Sequence, residues 1–239
     1  MAGTKGKVMS THTNADMSHQ NSLSYKLGEF FDSIKENGLS STLDKISQRV
    51  YYKIKGVDFS TENLHELTLT GDYKDHGTAL VSTSKDFFKK VFEDLENIIE
   101  KKIEKNIFLD YGSGKGGAII QARNSGFNQS IGIEFAKELH DVAELNIKRL
   151  GLNHVDSFYQ DATTYLPPLD ISVIYLFNPF DAVVMEKVAQ NIVSLKEDFK
   201  NDVYIIYGNP SCEVLDHYFT LLDKTEHASG ARVHYYKVT

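Results

Sequence analysis

From residue 107 onward the chain alternates short apolar runs with longer stretches of helical period, and this alternation restricts the fold more than any other feature. Runs at 107–110, 131–134, 155–159, 171–177 and 203–207 read as strands, and stretches near 115–125, 136–150, 181–199 and 211–217 as helices. Alternation over this length implies an α/β fold, doubly wound, with a mostly parallel sheet covered on both faces through right-handed crossovers. Two further apolar runs, 218–222 and 233–238, flank the turn-prone Ala228-Ser229-Gly230, which predicts an antiparallel C-terminal hairpin and a seven-stranded sheet.

The first hundred residues have a different pattern. Residues 1–22 are polar and read as a disordered tail, whose His12 and His19 lack partners at metal-ligand spacing. Leu23, Leu27, Phe30, Phe31 and Ile34 recur at helical intervals up to Asn37-Gly38. A second helix follows, with Leu43, Ile46, Val50 and Ile54 as its inner stripe and Gly56 as its stop. A long polar loop over 57–82 then leads to Ser84, an N-cap for a helix with Phe87, Phe88, Val91, Phe92, Leu95, Ile98 and Ile99 facing inward. The expected organisation is thus a tail (1–22), a helical cap and loop (23–82) and a doubly wound domain (83–239).

The segment with the clearest chemistry is Phe108-Leu109-Asp110-Tyr111-Gly112-Ser113-Gly114-Lys115-Gly116-Gly117, which runs from a strand directly into a helix. Its glycines permit left-handed backbone and let a ligand lie against the N–H groups at the helix start. Gly112, Gly114 and Gly117 also satisfy the dinucleotide pattern G-x-G-x-x-G, so glycine spacing alone does not choose the ligand. Asp110 does discriminate: a carboxylate there repels a pyrophosphate and suits a ligand carrying ammonium and sulfonium groups.

Asp110-Tyr111-Gly112-Ser113-Gly114-Lys115-Gly116 resembles motif I of the class I, Rossmann-like S-adenosylmethionine-dependent methyltransferases, an acidic residue followed by G-x-G-x-G. Ile131-Gly132-Ile133-Glu134 resembles the family's second strand, whose terminal acidic residue grips both ribose hydroxyls. Tyr159-Gln160-Asp161-Ala162 resembles the end of its third strand, where Asp and its neighbour meet the adenine. The wording is similar to that of loosely characterised bacterial members, and it covers roughly residues 83–239. The resemblance implies a methyltransferase that takes S-adenosylmethionine and releases S-adenosylhomocysteine, with Asp110, Gly112, Ser113, Gly114, Gly116, Glu134, Asp161, Ala162 and Asn178 around the cofactor. Each acidic residue also has a purely structural reading: Asp110 capping the turn, Glu134 capping the helix near Ala136, and Asp161 capping Thr163-Thr164.

Asn178-Pro179-Phe180 follows the fourth strand, at the sheet edge where ligands sit in open α/β folds, and resembles the family's motif IV. Members acting on planar nitrogens carry a second proline; with only one here, the resemblance implies no particular acceptor atom. Asn178 can hydrogen-bond an acceptor and Phe180 can cover a sulfonium. Asn209-Pro210 repeats the pattern after the fifth strand and reads mainly as a turn. Methyl transfer is an in-line displacement that needs alignment and exclusion of water rather than an obligatory base. His76 in the long loop and Asp181 are the candidates where a proton must leave, and Thr83-Ser84 is a further candidate for the methionine carboxylate.

Composition narrows the partners. A formal net charge of -7 and a pI near 5.7 argue against nucleic acid, whose binding draws on clustered Lys and Arg, so a small-molecule acceptor is expected first and a protein second. Cys212 is the sole cysteine, which excludes an intrachain disulfide; no cluster has metal-ligand spacing, and no apolar run is long enough to span a bilayer. A cytoplasmic enzyme without membrane contact or metal is expected. Two alternatives stand beside it: an NAD(P)-dependent oxidoreductase using Gly112, Gly114 and Gly117, and a catalytically silent S-adenosylmethionine-binding protein.

Overall fold

The computed structural model describes residues 23–60 and 84–239, so the 1–22 tail, His76 and Thr83 lie outside it. Its contacts separate the chain into Met1–Ile54 and Lys55–Thr239. In the first unit a helical run, α1 (Leu23–Lys55), is interrupted at Gly38, whose φ of 81° and ψ of 161° fit the expected break. The stripe Leu43, Ile46, Val50 and Ile54 was expected to face inward but is exposed, at 40–79%. An apolar stripe is buried only where a second layer covers it, and no described residue covers this one.

The second unit begins with residues 55–60 and continues at α2 (Lys85–Ile98), which starts where expected: the Ser84 hydroxyl accepts the Phe87 N–H at 3.2 Å. There follow β1 (Ile107–Tyr111), α3 (Gly117–Asn124), β2 (Gln129–Glu134), α4 (Lys137–Leu150), β3 (Val155–Tyr159), β4 (Ile171–Phe177), α5 (Ala182–Ser194), β5 (Tyr204–Gly208), β6 (Thr220–Glu226) and β7 (Arg232–Lys237). The expected helix at 211–217 is a single short 3-10 turn, Val214–His217. The helix expected to reach 199 ends at Ser194, after which the chain runs through turns.

The seven strands lie in the order β3-β2-β1-β4-β5-β7-β6, parallel except that β7 runs antiparallel to both of its neighbours. Every residue of β1 and β5 is buried, as helices on both faces of a parallel sheet require. Ile107, Leu109 and Tyr111 of β1 point to one face and pack with Val184, Met185, Val188 and Ile192 of α5. Phe108 points to the other, with Phe88, Val91 and Leu95 of α2 and Ile119 and Ile120 of α3. Aromatic rings fill this second layer: Phe108 lies 5.7 Å from Phe88, 5.5 Å from Phe127 and 5.7 Å from Tyr175 between centroids. Each fully buried ring contributes on the order of 1.5–3 kcal/mol. The strand order reverses between β1 and β4, which opens a crevice at the C-terminal ends of these strands.

Candidate cofactor and acceptor site

The loop from β1 to α3 is shaped by its glycines. Gly112, Gly114 and Gly116 adopt φ of 83°, 53° and 82°, and the N–H groups of Gly112 and Ser113 both donate to the carbonyl of Ile133, at 2.9 and 3.1 Å. A Cβ on Gly112 would lie 2.6 Å from Cβ of Pro179, so the missing side chain brings the loops after β1 and β4 into contact. Gly132 plays the matching part on β2: a Cβ there would lie 2.5 Å from Ser113 Oγ and 2.6 Å from Ser113 Cβ. The Ser113 hydroxyl, seated in that space, is buried with no hydrogen-bond partner among the described residues.

Asp110, next to the last residue of β1, and Glu134, the last of β2, are buried, 4% and 3% exposed. The Glu134 carboxylate accepts the Gly114 N–H at 2.8 Å through Oε2 and the Ala136 N–H at 2.8 Å through Oε1. It therefore clasps the glycine loop and the start of α4 together. Burial still raises it to about 7, against the N–H groups of Ala136, Gly114 and Phe135 that favour its charge. Asp110 is pushed well above the carboxylate range by burial first and by the Glu134 charge second, and no described donor hydrogen-bonds it. The strand ends thus hold two mutually repelling carboxylates with no cation between them among the described residues.

At the end of β3, Asp161 caps the short Ala162–Thr164 turn: Oδ1 accepts the Thr163 N–H and hydroxyl, both at 2.8 Å. Ala162 is half-buried against the first core layer, and the Gln160 N–H donates to the Glu134 carbonyl at 2.9 Å, which holds the ends of β2 and β3 together.

On the acceptor side, Asn178 and Asn209 share a φ of 46°, a left-handed conformation that asparagine tolerates better than most residues. The Asn178 N–H donates to Gly208 O at 2.9 Å, which aligns the two turns. Asn209 has a structural role: its N–H donates to Arg232 O at 2.7 Å, and its Oδ1 accepts the Arg232 N–H at 3.1 Å, extending the β5–β7 ladder. The Ser211 hydroxyl donates to Phe180 O at 3.0 Å and joins the same two loops again. Phe180 is 5% exposed and packs with Val184 and Met185 in the first core layer. Asp181, a candidate base, is the N-cap of α5 and accepts Val183 N–H at 2.9 Å. Cys212 is half-buried.

Sequence reasoning passed over one part of the site. Lys115, inside the glycine loop, has a side chain only 2% exposed, and its ammonium donates to Asp58 Oδ2 at 2.8 Å and to Ser60 Oγ at 2.9 Å. A lysine between glycines was the available signal, but its partners lie more than fifty residues upstream in a stretch that reads as loop. Among the described residues no group of three His, Cys, Asp or Glu side chains is placed to hold a metal, and no helix is long and apolar enough to cross a membrane.

Residues 80–237 match the model of a family described as Conserved hypothetical protein 95. No curated protein matches the chain. Similar solved structures include an RNA methyltransferase from Salinibacter ruber in complex with S-adenosyl-L-homocysteine, 21% identical, with a TM-score of 0.50 over 66% of this chain and 94% of that one. A putative methylase from Haemophilus influenzae is 18% identical, with a TM-score of 0.50 over 63% of this chain and 97% of that one. At such identities the likeness speaks for the fold alone. The chain belongs to the family described as Conserved hypothetical protein 95, within the class I, Rossmann-like S-adenosylmethionine-dependent methyltransferases.

Proposed function

We propose that this chain holds S-adenosylmethionine across the ends of β1, β2 and β3 and transfers its methyl group to an acceptor bound at Asn178. The observation that carries the reading is the buried Asp110–Glu134 pair beside the glycine loop. Two carboxylates raised by burial, Asp110 also by the charge of Glu134, are costly in isolation and become favourable beside a cation. The fit to the cofactor is specific in chemistry: carboxylates for its positive charges and hydroxyls, the unpartnered Ser113 hydroxyl and the free N–H groups at the start of α3 for its polar atoms. A pyrophosphate would meet the same carboxylates as like charges, which speaks against the oxidoreductase alternative.

The cofactor supplies a methyl group already activated on a sulfonium, so the chain's task is placement. Gly112, Gly114 and Gly116 shape the loop, Glu134 fixes that loop to α4, and Asp161 with Ala162 flanks the adenine end. Asn178, held by Gly208 and by the contact of Pro179 with Gly112, orients the acceptor. A small molecule remains the first acceptor class, given a net charge of -7. RNA is the second, because a similar fold serves an RNA methyltransferase in Salinibacter ruber, and net charge alone does not exclude it.

Calorimetric titration with S-adenosylmethionine, S-adenosylhomocysteine and NADH tests the cofactor, in the natural chain and in Asp110→Ala and Glu134→Ala. Micromolar binding of both adenosyl ligands, lost in both variants, is expected; NADH binding with silence from the adenosyl ligands would sink the reading. Labelled S-adenosylmethionine offered with small-molecule, protein and RNA fractions then identifies the acceptor class.

A further inference from the structure

Three charged residues are buried among those described, Asp110, Lys115 and Glu134, and all three belong to the glycine loop or the strand ends beside it. Two are the carboxylates assigned to the cofactor above. The third carries the opposite charge and is held by residues outside the region matched by the family, which begins at residue 80.

The hydrogen bonds around it form a closed network. Asn146 of α4, fully buried, accepts the Asp58 N–H at 2.9 Å through Oδ1 and donates through Nδ2 to Asp58 O at 2.8 Å and Lys115 O at 3.0 Å. Lys115 Nζ donates to Asp58 Oδ2 and Ser60 Oγ, and the Ser60 N–H donates to Asp58 Oδ1 at 2.8 Å. Gly116, the next residue in the loop, packs against Ala143, one helical turn before Asn146: a Cβ on Gly116 would lie 3.2 Å from Ala143 Cβ. Partial burial raises Asp58, but the Lys115 hydrogen bond, the Ser60 N–H and hydroxyl and the Lys115 charge outweigh it and hold it at about 2. A buried ammonium costs stability unless it is paired and hydrogen-bonded, and here one short segment supplies both.

We infer that Asp58, Lys115 and Asn146 are positioning residues that hold the glycine loop in its ligand-binding shape from behind, making the segment 57–60 a working part of the cofactor site. The functional half of this inference rests on the reading of that loop as the S-adenosylmethionine site. Loss of the Asp58 carboxylate removes a counter-charge 2.8 Å from the buried Lys115 ammonium, and the loop shifts to carry the ammonium towards water. Removing both charges together relieves that pull.

The test uses the full chain and three variants, Asp58→Asn, Lys115→Met and the double variant. Amide hydrogen exchange is read at residues 112–117 without ligand, and S-adenosylhomocysteine affinity by calorimetry. In Asp58→Asn, faster exchange in the loop and affinity lower by at least about tenfold are expected, since small misplacements of a binding loop are costly. The double variant should recover part of both losses, the sign of a coupled pair. Unchanged exchange at 112–117 in Asp58→Asn overturns the inference whatever ligand the site takes. Faster exchange with unaltered affinity overturns its functional half. Failure of the natural chain to bind S-adenosylhomocysteine removes the cofactor reading and the functional half with it, while the exchange result still decides the structural half. Should Asp58→Asn not fold, Asp58→Glu, which keeps the charge one methylene further out, undergoes the same two measurements with the same deciding outcomes.

Discussion

The ends of β1 and β2 and the ends of β4 and β5 face one crevice but are built in different ways. The first pair is organised by buried charge: Asp110 and Glu134 stand beside a loop whose N–H groups and glycines are closely constrained. The second pair is organised by backbone: Asn178 and Asn209, with the same left-handed φ, are tied by main-chain hydrogen bonds and by Ser211 to Phe180. A half built from charge is committed to one kind of ligand. A half built from turns keeps its geometry while its side chains are free to differ between acceptors, as ligand loops on a fixed scaffold commonly do.

The contrast can be broken where the halves meet. Gly112→Ala combines left-handed strain, about 1–3 kcal/mol, with overpacking against Pro179, about 1–3 kcal/mol. Denaturant unfolding should therefore show a loss of about 2–6 kcal/mol. A loss within error would mean that the two loops are independent. The next test sharpens the electrostatic side. Glu134 and Asp110 are raised in the folded chain, Glu134 to about 7 from 4.5, so at Glu134 the folded state binds more protons than the unfolded between those values. The contribution of Glu134 to stability is fully present below the unfolded pKa and is lost as pH rises through about 7. A cationic ligand requires the ionised form, so affinity for S-adenosylmethionine should rise by up to about tenfold from pH 6 to pH 8, with proton release on binding. A flat profile would argue that the pair is not where the cation sits. The smallest effect belongs to the backbone side: Asn209→Ala removes the acceptor for the Arg232 N–H and should cost about 0.5–1.5 kcal/mol while leaving cofactor affinity unchanged. A fall in that affinity would show that the halves communicate through β5.

The same contrast governs what could be read in advance. The strands at 155–159 and 171–177 are found with their expected bounds, and Ser84 caps its helix, because each depends on local pattern. Motif residues at the ends of β1, β2 and β3 were legible because their spacing from the glycines is fixed by strand length. The insertion of β7 between β5 and β6 was not, since antiparallel pairing of the last two strands says nothing about which of them meets β5. The placement of Phe180 was not legible either, because a ring three residues past a strand end can turn to the crevice or to the core, and α5 offers it Val184 and Met185. Asp58 was invisible for the same reason that makes it informative: its partners are 57 and 88 residues away, and its own neighbourhood reads as loop.

The hydroxymethyl group of Ser113 occupies the space that a methyl group on residue 132 would need. The two positions therefore share a single volume, and inheritance has to treat them as one trait. A lineage that gains alanine at 132 must shed the side chain at 113 or open the gap between the first and second strands. A lineage that keeps glycine at 132 leaves 113 room to be small and polar. Covariation between these two columns, with neither varying alone, is the trace that this crowding would leave across descendants of the fold.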